Sequence, residues 1–396
     1  MKLDIQKNIP QCECLEPLDH IFRFWSGLKD DIFGGFYGQV GFDGIVDRTA
    51  DKGVILNSRI LWFFSSLYCV NRDEAALMNA RHAYKFLVNN MLDAKYEGLY
   101  WMCDCNGRPV DSRKHSYCQA FGIYGLSQYY KASGDEQAVE LAMKLFNLIE
   151  TKCKDDTGYL EEFNRKWERE PNELLSENKV ISERTMNTHL HILEAYTVLY
   201  EVTKNEAVKK QLYFLLGVIK ERIYSREFKR LKVFFDDEWN ETIDIQSYGH
   251  DIEGSWLVDR AVEMLNDKNL LEATQSYTLD IAENILNNAY TPFGVINETV
   301  NHVTDYNKIW WVQAESVVGF INAYEKSGNK RFFEAAVNIW NYIHEKVIDK
   351  KTGEWYWMFD EGGSPVFDLP FVSAWKCPYH NSRMYFELMA RGKDYV

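Results

Sequence analysis

Residues 100–110 read YWMCDCNGRPV, and residues 356–366 read YWMFDEGGSPV. Seven of the eleven positions agree: Tyr100/Tyr356, Trp101/Trp357, Met102/Met358, Asp104/Asp360, Gly107/Gly363, Pro109/Pro365 and Val110/Val366. So specific a phrase, aromatic at one end and turned by D-x-x-G at the other, reads as one structural unit used twice.

Around these phrases the apolar residues recur at three- and four-residue intervals, the period of helices with one buried face. Segments near 12–27, 54–71, 74–93, 115–132, 135–152, 182–203, 206–224, 249–266, 269–288, 309–326, 330–346 and 376–391 carry it. Connections within pairs are a few residues long, such as NRD (71–73), SGD (133–135) and SGN (327–329). Loops that short make antiparallel helix hairpins. Connections between pairs are longer, as in FGGFYGQVGFDGIVD, GYLEEFNRKW and the twin phrases, and their alternation and turn residues predict short β-hairpins or structured loops. Twelve helices in six hairpins, with long connections on one end, predict an all-α (α/α)6 barrel. An open helical solenoid also buries a core by stacking, but elaborate aromatic connections suit a closed barrel with one functional mouth.

The 396 residues hold no Ser/Gly/Pro-rich linker, charge block or low-complexity tract, so one barrel domain over 1–396 is expected. The 8 prolines are about 2% of the chain against a usual figure of about 5%, which suits helices. A net charge of −14 argues against nucleic acid or an anionic membrane as partner and fits a neutral ligand. The N-terminus has no apolar signal-peptide core, and the richest apolar run, ILWFFSSLYCV, is too short for a membrane span. A cytoplasmic protein is expected. The 8 cysteines, including the C-x-C pairs Cys12/Cys14 and Cys103/Cys105, lack structural-zinc spacing and read as free thiols in a reducing compartment.

Polar residues on otherwise apolar helices mark the candidate site. In TMNTHLHILEAY, Asn187 and His191 share a face while His189 points elsewhere, and Glu194, one turn on, is placed to orient the His191 ring. A satisfied core histidine is the competing reading. In SYGHDIEGSWLVDRA, His250 and Glu253 are neighbours at a helix start, whose dipole disfavours the imidazolium while the glutamate favours it. In WKCPYHNSRMYFE, Pro378 is expected in the first turn of the last helix, with His380 close behind and Trp375 on the incoming loop. The two histidines are therefore expected to face one cavity. Arg59 interrupts NSRILWFFSS and needs a partner such as Glu315 or Glu253. Tyr117, Trp310 and Trp311 complete the set, tryptophans being either core or platforms for sugar rings, while Trp62, Trp256 and Trp340 are assigned to the core. There is no H-E-x-x-H, no calcium-type loop and no phosphate-binding glycine loop, so neither metal nor cofactor is expected.

NTHLHILEAY, YGHDIEGSWL, KIWWVQAES and KCPYHNSR, in that order over nearly the whole chain, resemble the N-acylglucosamine 2-epimerase superfamily, nearest to its cellobiose 2-epimerase branch. The resemblance implies an (α/α)6 barrel and cofactor-independent inversion at C2 of a reducing-end glucose. It implies His250 and His380 as the acid/base pair, with His191 near the ring oxygen or C1 side. Arg59, Tyr117, Asn187, Glu253, Trp311, Glu315 and Trp375 match its pocket positions, and aromatics including Trp310 receive the second sugar of a β-1,4-linked disaccharide. The partner expected is thus a small reducing disaccharide, handled by a monomer or weak homodimer. An aldose–ketose isomerase and an N-acyl-amino-sugar epimerase remain alternatives of similar chemistry. An inverting glycoside hydrolase would need two carboxylates about 6.5–9.5 Å apart, for which Glu253 and Glu315 are the candidates. A non-catalytic scaffold is the third alternative.

Overall fold

The computed structural model describes residues 11–172 and 180–392. The leader-free reading of residues 1–10 lies outside them, as does the Cys12 side chain. Twelve α-helices follow: α1 (Gln11–Ser26), α2 (Val54–Asn71), α3 (Glu74–Phe86), α4 (Ser116–Ser133), α5 (Glu136–Leu148), α6 (Met186–Thr203), α7 (Glu206–Val218), α8 (Tyr248–Leu265), α9 (Lys268–Asn288), α10 (Trp310–Ser327), α11 (Lys330–Tyr342) and α12 (His380–Gly392). The even-numbered helices form an inner ring, each packed on the next, and α12 closes on α2. Each odd-numbered helix from α3 to α11 backs the inner helix before it, while α1 backs α12. Five pairs are hairpins, and the sixth joins the first and last helices. This is the expected (α/α)6 barrel.

Burial explains the two rings. Inner helices touch neighbours on every side, so Val54 to Leu67 are buried without interruption. Outer helices keep one wet face: α11 buries Phe332, Ala335, Ala336, Ile339 and Trp340 at helical spacing. Each inner helix from α2 to α10 ends in a left-handed residue (Arg72, Gly134, Lys204, Asn266, Gly328). The next residue, Asp73, Asp135, Asn205, Asp267 or Asn329, caps the outer helix with its side chain. Such caps stabilise by about 1 kcal/mol apiece and make the tight turn. Four outer helices run on through one π-helical turn, at 87–91, 149–153, 219–223 and 343–347. The helical pattern in the sequence therefore extends past the α-helices proper.

At the opposite end every long connection repeats one hydrogen bond. The first N–H of α2, α4, α6, α8 and α10 donates to the carbonyl of Trp101, Glu161, Val233, Asn297 and Trp357 respectively. The twin phrases are two of these five. Each pairs with the strand entering an inner helix (Gly53↔Met102, Ile309↔Met358). Each turns at a glycine with φ near +81° (Gly107, Gly363), where an L side chain is strained. The strand Arg184–Thr185 pairs with Phe234–Phe235, so α6 starts at Met186 rather than near 182. Pro378 was expected inside the last helix, but it lies two residues before α12, which starts at His380. None of the seven described cysteines is in a disulfide, and no described helix is long and apolar enough to cross a membrane.

Ring closure is chemically distinct. Glu354, fully buried after α11, accepts from Trp25 Nε1 of α1 (2.7 Å), Lys376 Nζ (3.2 Å) and Asn381 Nδ2 of α12 (2.9 Å).

Candidate active site

The starts of the inner helices surround a cavity of about 410 Å³. Arg59, Tyr117, Asn187, His191, His250, Glu253, Trp310, Trp311, Trp375 and His380 all line it. Glu315 does not; it lies behind His380. The helix repeat explains the convergence. The sixth residue of α2, α4, α6, α8 and α10 is Arg59, Phe121, His191, Glu253 and Glu315. Arg383, three residues after His380 as Glu253 is three after His250, completes that ring from α12.

His250 and His380 both contact Trp311, with ring centroids 4.8 Å and 5.3 Å from the indole. His250 Nδ1 is 2.8 Å from Ser247 Oγ, and His380 Nδ1 is 2.7 Å from Glu315 Oε1. Since a carboxylate only accepts, the His380 proton is assigned to Nδ1, which leaves Nε2 as a lone pair. Burial pulls the His250 pKa down to about 4 despite the opposing charge of Glu253. Burial likewise holds His380 well below the usual histidine value, with Glu253 opposing and Arg383 and Arg59 assisting. The contest between helix dipole and glutamate expected at His250 is thus decided by a third effect, desolvation.

His191 and His189 face different surroundings. His191 Nδ1 lies 2.9 Å from Glu194 Oε2, and its ring meets Tyr117 edge-on at 5.1 Å. His189 is locked away: Nδ1 donates to the Thr185 carbonyl (2.7 Å), and Nε2 accepts from the Tyr159 N–H (3.0 Å).

Arg59 has neither of the carboxylate partners expected for it. Its Nη2 donates to Tyr117 Oη (2.8 Å) and its Nη1 to the Trp375 carbonyl (3.4 Å), and the guanidinium lies against the Phe121 and Tyr379 rings at 4.0 and 4.6 Å. Because Tyr117 Oη accepts from Arg59, its own proton is free to donate into the cavity. The carboxylates belong instead to Arg383, which the sequence pattern contained but which was not singled out. Arg383 Nη1 donates to Glu194 (2.5 Å) and Tyr379 Oη, and Nη2 to Glu315 (2.6 Å) and Glu253. Burial would raise Glu194, yet Arg383, His191 and Tyr379 hold it below the carboxylate range; Glu315 stays raised by burial.

Glu253, Glu315 and His380 bring ligand-type atoms within 4.8 Å of one another, but Arg383 fills the position between the carboxylates. The same clamp removes the hydrolase geometry. Glu253 and Glu315 share one guanidinium nitrogen rather than standing about 6.5–9.5 Å apart across a bond. Of the lining residues, Asn187 and Glu253 have buried oxygens, Oδ1 and Oε2, that accept no hydrogen bond from the described residues. Trp310, edge-on to His380 at 5.6 Å, is buried, whereas Trp357 and Trp375 are half-buried on the cavity wall. Trp256, assigned to the core, is buried but also donates Nε1 to Glu315 Oε2 (3.0 Å).

A family model described as N-acylglucosamine 2-epimerase (GlcNAc 2-epimerase) matches residues 35–381. The cellobiose 2-epimerase of Dictyoglomus turgidum is 46% identical over 97% of this chain and 99% of its own. That of Ruminococcus albus is 47% identical over 96% and 98%. A solved sugar epimerase from a ruminal bacterium superposes with a TM-score of 0.95 at 46% identity, over 96% of this chain and 99% of that one. With the matched region running from the first connection into α12, the chain belongs to the N-acylglucosamine 2-epimerase family.

Proposed function

We propose that the protein is an isomerase that inverts C2 of the reducing-end glucose of β-1,4-linked disaccharides, converting cellobiose to glucosyl-mannose and acting likewise on lactose. The observation that carries this reading is the pair His250 and His380 on one cavity, with ring centroids 4.8 and 5.3 Å from one tryptophan and with burial disfavouring the charged form of each. The printed activity of relatives at 46–47% identity over nearly the whole chain supports the substrate.

The chemistry follows from the groups present. His191, backed by Glu194, assists opening of the sugar ring to an aldehyde, which acidifies the hydrogen on C2. One imidazole takes that proton, and the C2–H electrons move into the C1 carbonyl to give an enediolate. The other imidazole, made an imidazolium by a proton taken up from solvent, delivers that proton to the opposite face of C2, which sets the new configuration. Arg59, Tyr117 and Asn187 hold the developing oxyanion; preorganised donors of this kind are a large part of such catalysis. Glu253 Oε2 accepts a sugar hydroxyl, and Trp311, Trp310 and Trp375 offer ring faces to the two sugars. The whole chain, 1–396, works as one barrel unit in this reading.

Proton NMR of the protein with cellobiose in D₂O tests it. Deuterium at C2 of a mannose-type product with the glycosidic bond intact is the expected result. A ketose product would reassign the protein as an aldose–ketose isomerase. Free glucose, or no reaction with cellobiose or lactose, would overturn the proposal.

A further inference from the structure

Arg383 is fully buried between the Trp256 and Tyr379 rings, whose centroids lie 4.9 and 4.2 Å from its guanidinium carbon. It comes from α12, yet its three carboxylate partners come from α6, α8 and α10. Two of those carboxylates have a second bond: Glu194 to His191 Nδ1 (2.9 Å) and Glu315 to His380 Nδ1 (2.7 Å). The third, Glu253, lines the cavity, stands 4.0 Å from His380 Nδ1 and has its Oε2 unpartnered by the described residues.

We propose that Arg383 is a positioning residue, which gathers Glu194, Glu253 and Glu315 into one ion cluster and so sets the ring orientation and tautomer of His191 and His380. The inference rests on the epimerase reading for its catalytic consequence but not for its geometry. Three carboxylates buried side by side repel one another, and without a cation at least one takes up a proton. A protonated Glu315 or Glu194 donates as well as accepts, so it no longer holds the histidine proton on Nδ1. The shape of the cation matters too. The guanidinium serves Glu194 through Nη1 and the other two through Nη2, a fork that one ammonium group does not reproduce.

The charge of Arg383 acts on His380 in the same direction. His380 faces Glu315 from α10, Glu253 from α8, Arg59 from α2, His191 from α6, and Arg383 on its own helix. The carboxylates favour the imidazolium, and the two arginines and burial oppose it. With Arg383 gone, His380 takes up a proton at a higher pH.

Arg383→Met and Arg383→Lys test the proposal. We expect kcat with cellobiose to fall about 100-fold in the first and about 10-fold or more in the second, with KM within about threefold of wild type. The acid limb of the kcat profile should move to higher pH in Arg383→Met and return toward wild type in Arg383→Lys. A readout independent of substrate is ¹⁵N–¹H correlation of the imidazoles. The wild type should carry the His191 and His380 protons on Nδ1, and Arg383→Lys should lose that state at one ring at least. Lys114→Met, which removes a buried cation 3.2 Å from Asp93 and off the cavity, should leave both tautomers and the pH limb unchanged. Wild-type kcat in either folded Arg383 variant would overturn the proposal, and so would unchanged tautomers in Arg383→Lys. Should Arg383→Met not fold, Arg383→Lys decides alone. A wild type inert toward cellobiose would sink the epimerase reading, while the imidazole spectra would still decide this one.

Discussion

The two walls that carry His250 and His380 are built differently. Both histidines lie at the start of an inner helix, touch Trp311 and lose their charge to burial. On the His250 wall the ring is held by one neutral hydroxyl, Ser247 Oγ at 2.8 Å, and the ring is only partly buried. On the His380 wall the ring is held by Glu315, itself tied to Arg383 and Trp256 in a cluster with no water-exposed member. A hydroxyl donates or accepts as required, so His250 can exchange its tautomer cheaply. A carboxylate only accepts, so the His380 proton stays on Nδ1 and Nε2 keeps its lone pair. The difference predicts unequal roles and unequal tolerance to change.

The largest effect is expected from the histidines themselves. His250→Asn and His380→Asn should each lower epimerisation by about 10³-fold or more. If the walls serve opposite faces of C2, deuterium wash-in should survive from one epimer in the first variant and from the other epimer in the second. Loss of both exchanges in a single variant would mean that one histidine does both transfers. Glu315→Gln comes next: the amide keeps the shape but removes the charge that fixes the His380 tautomer. A fall in kcat of about 10- to 100-fold with little change in KM is expected, measured by steady-state assay with cellobiose. Ser247→Ala should be the mildest, a loss of a few-fold at most, since a net hydrogen bond to a neutral hydroxyl contributes about 1 kcal/mol. If Ser247→Ala were as damaging as Glu315→Gln, the contrast between the walls would be wrong.

The pH profile adds a smaller test. A base with a lowered pKa stays unprotonated as the pH falls, so kcat/KM should decline only through about 4 on account of His250, against about 6.5 for an ordinary histidine. The fold has a pH dependence of its own. His115 and His189, fully buried and held down to about 3 and about 4 by burial, bind protons more readily when unfolded. Their contribution to stability is complete above the unfolded value of about 6.5 and falls by about 1.4 kcal/mol per unit for each below it. Circular dichroism alongside the assay separates acid unfolding from the catalytic limb, because only the latter lowers activity while the fold is intact.

The barrel was legible because helix hairpins announce themselves twice, through apolar period and through Asx-capped turns such as SGD and SGN. The twin phrases could be recognised because the two connections kept Tyr, Trp and the turning Gly. The connections at Glu161 and Val233 keep the turn chemistry, Asn164 and Asp236 accepting from the N–H four residues on as Asp104 and Asp360 do, but place Trp167 and Trp239 where the twin phrases have glycine. With the aromatic pair and the glycine gone, and with only the backbone bond shared at Asn297, those three were not legible as repeats. The site histidines could be read because an ionisable group on an apolar face is conspicuous. Arg383 was missed although HNSR was in view. Periodicity says that a residue faces inward, not which neighbours across the ring it meets. Arg59 is the sixth residue of α2 and Arg383 the fourth of α12, yet both reach the inside of the ring, where one meets aromatic rings and a phenol and the other three carboxylates. The signal that would have found Arg383 is the shared spacing of His380/Arg383 and His250/Glu253. Desolvation, which decides the state of His250, depends on packing from several helices and has no local pattern.

The closure of the ring through Glu354 has a consequence for how the protein is made. The indole N–H of Trp25 must wait for Glu354, and Glu354 for its other two donors, Lys376 and Asn381. Ribosomes extend a chain at about 5–20 residues per second, so α1 spends many seconds without the helix it backs. Until α12 emerges, the five hairpins α2–α11 form an open arc whose edges on α2 and α10 lack the helix that packs between them, and α1 has nothing to back. The arc already holds His191 and His250 but neither His380 nor Arg383. A nascent chain halted before residue 380 thus lacks both His380 and Arg383 and the helix that closes the ring, so the last wall of the cavity and the seam of the barrel are completed together.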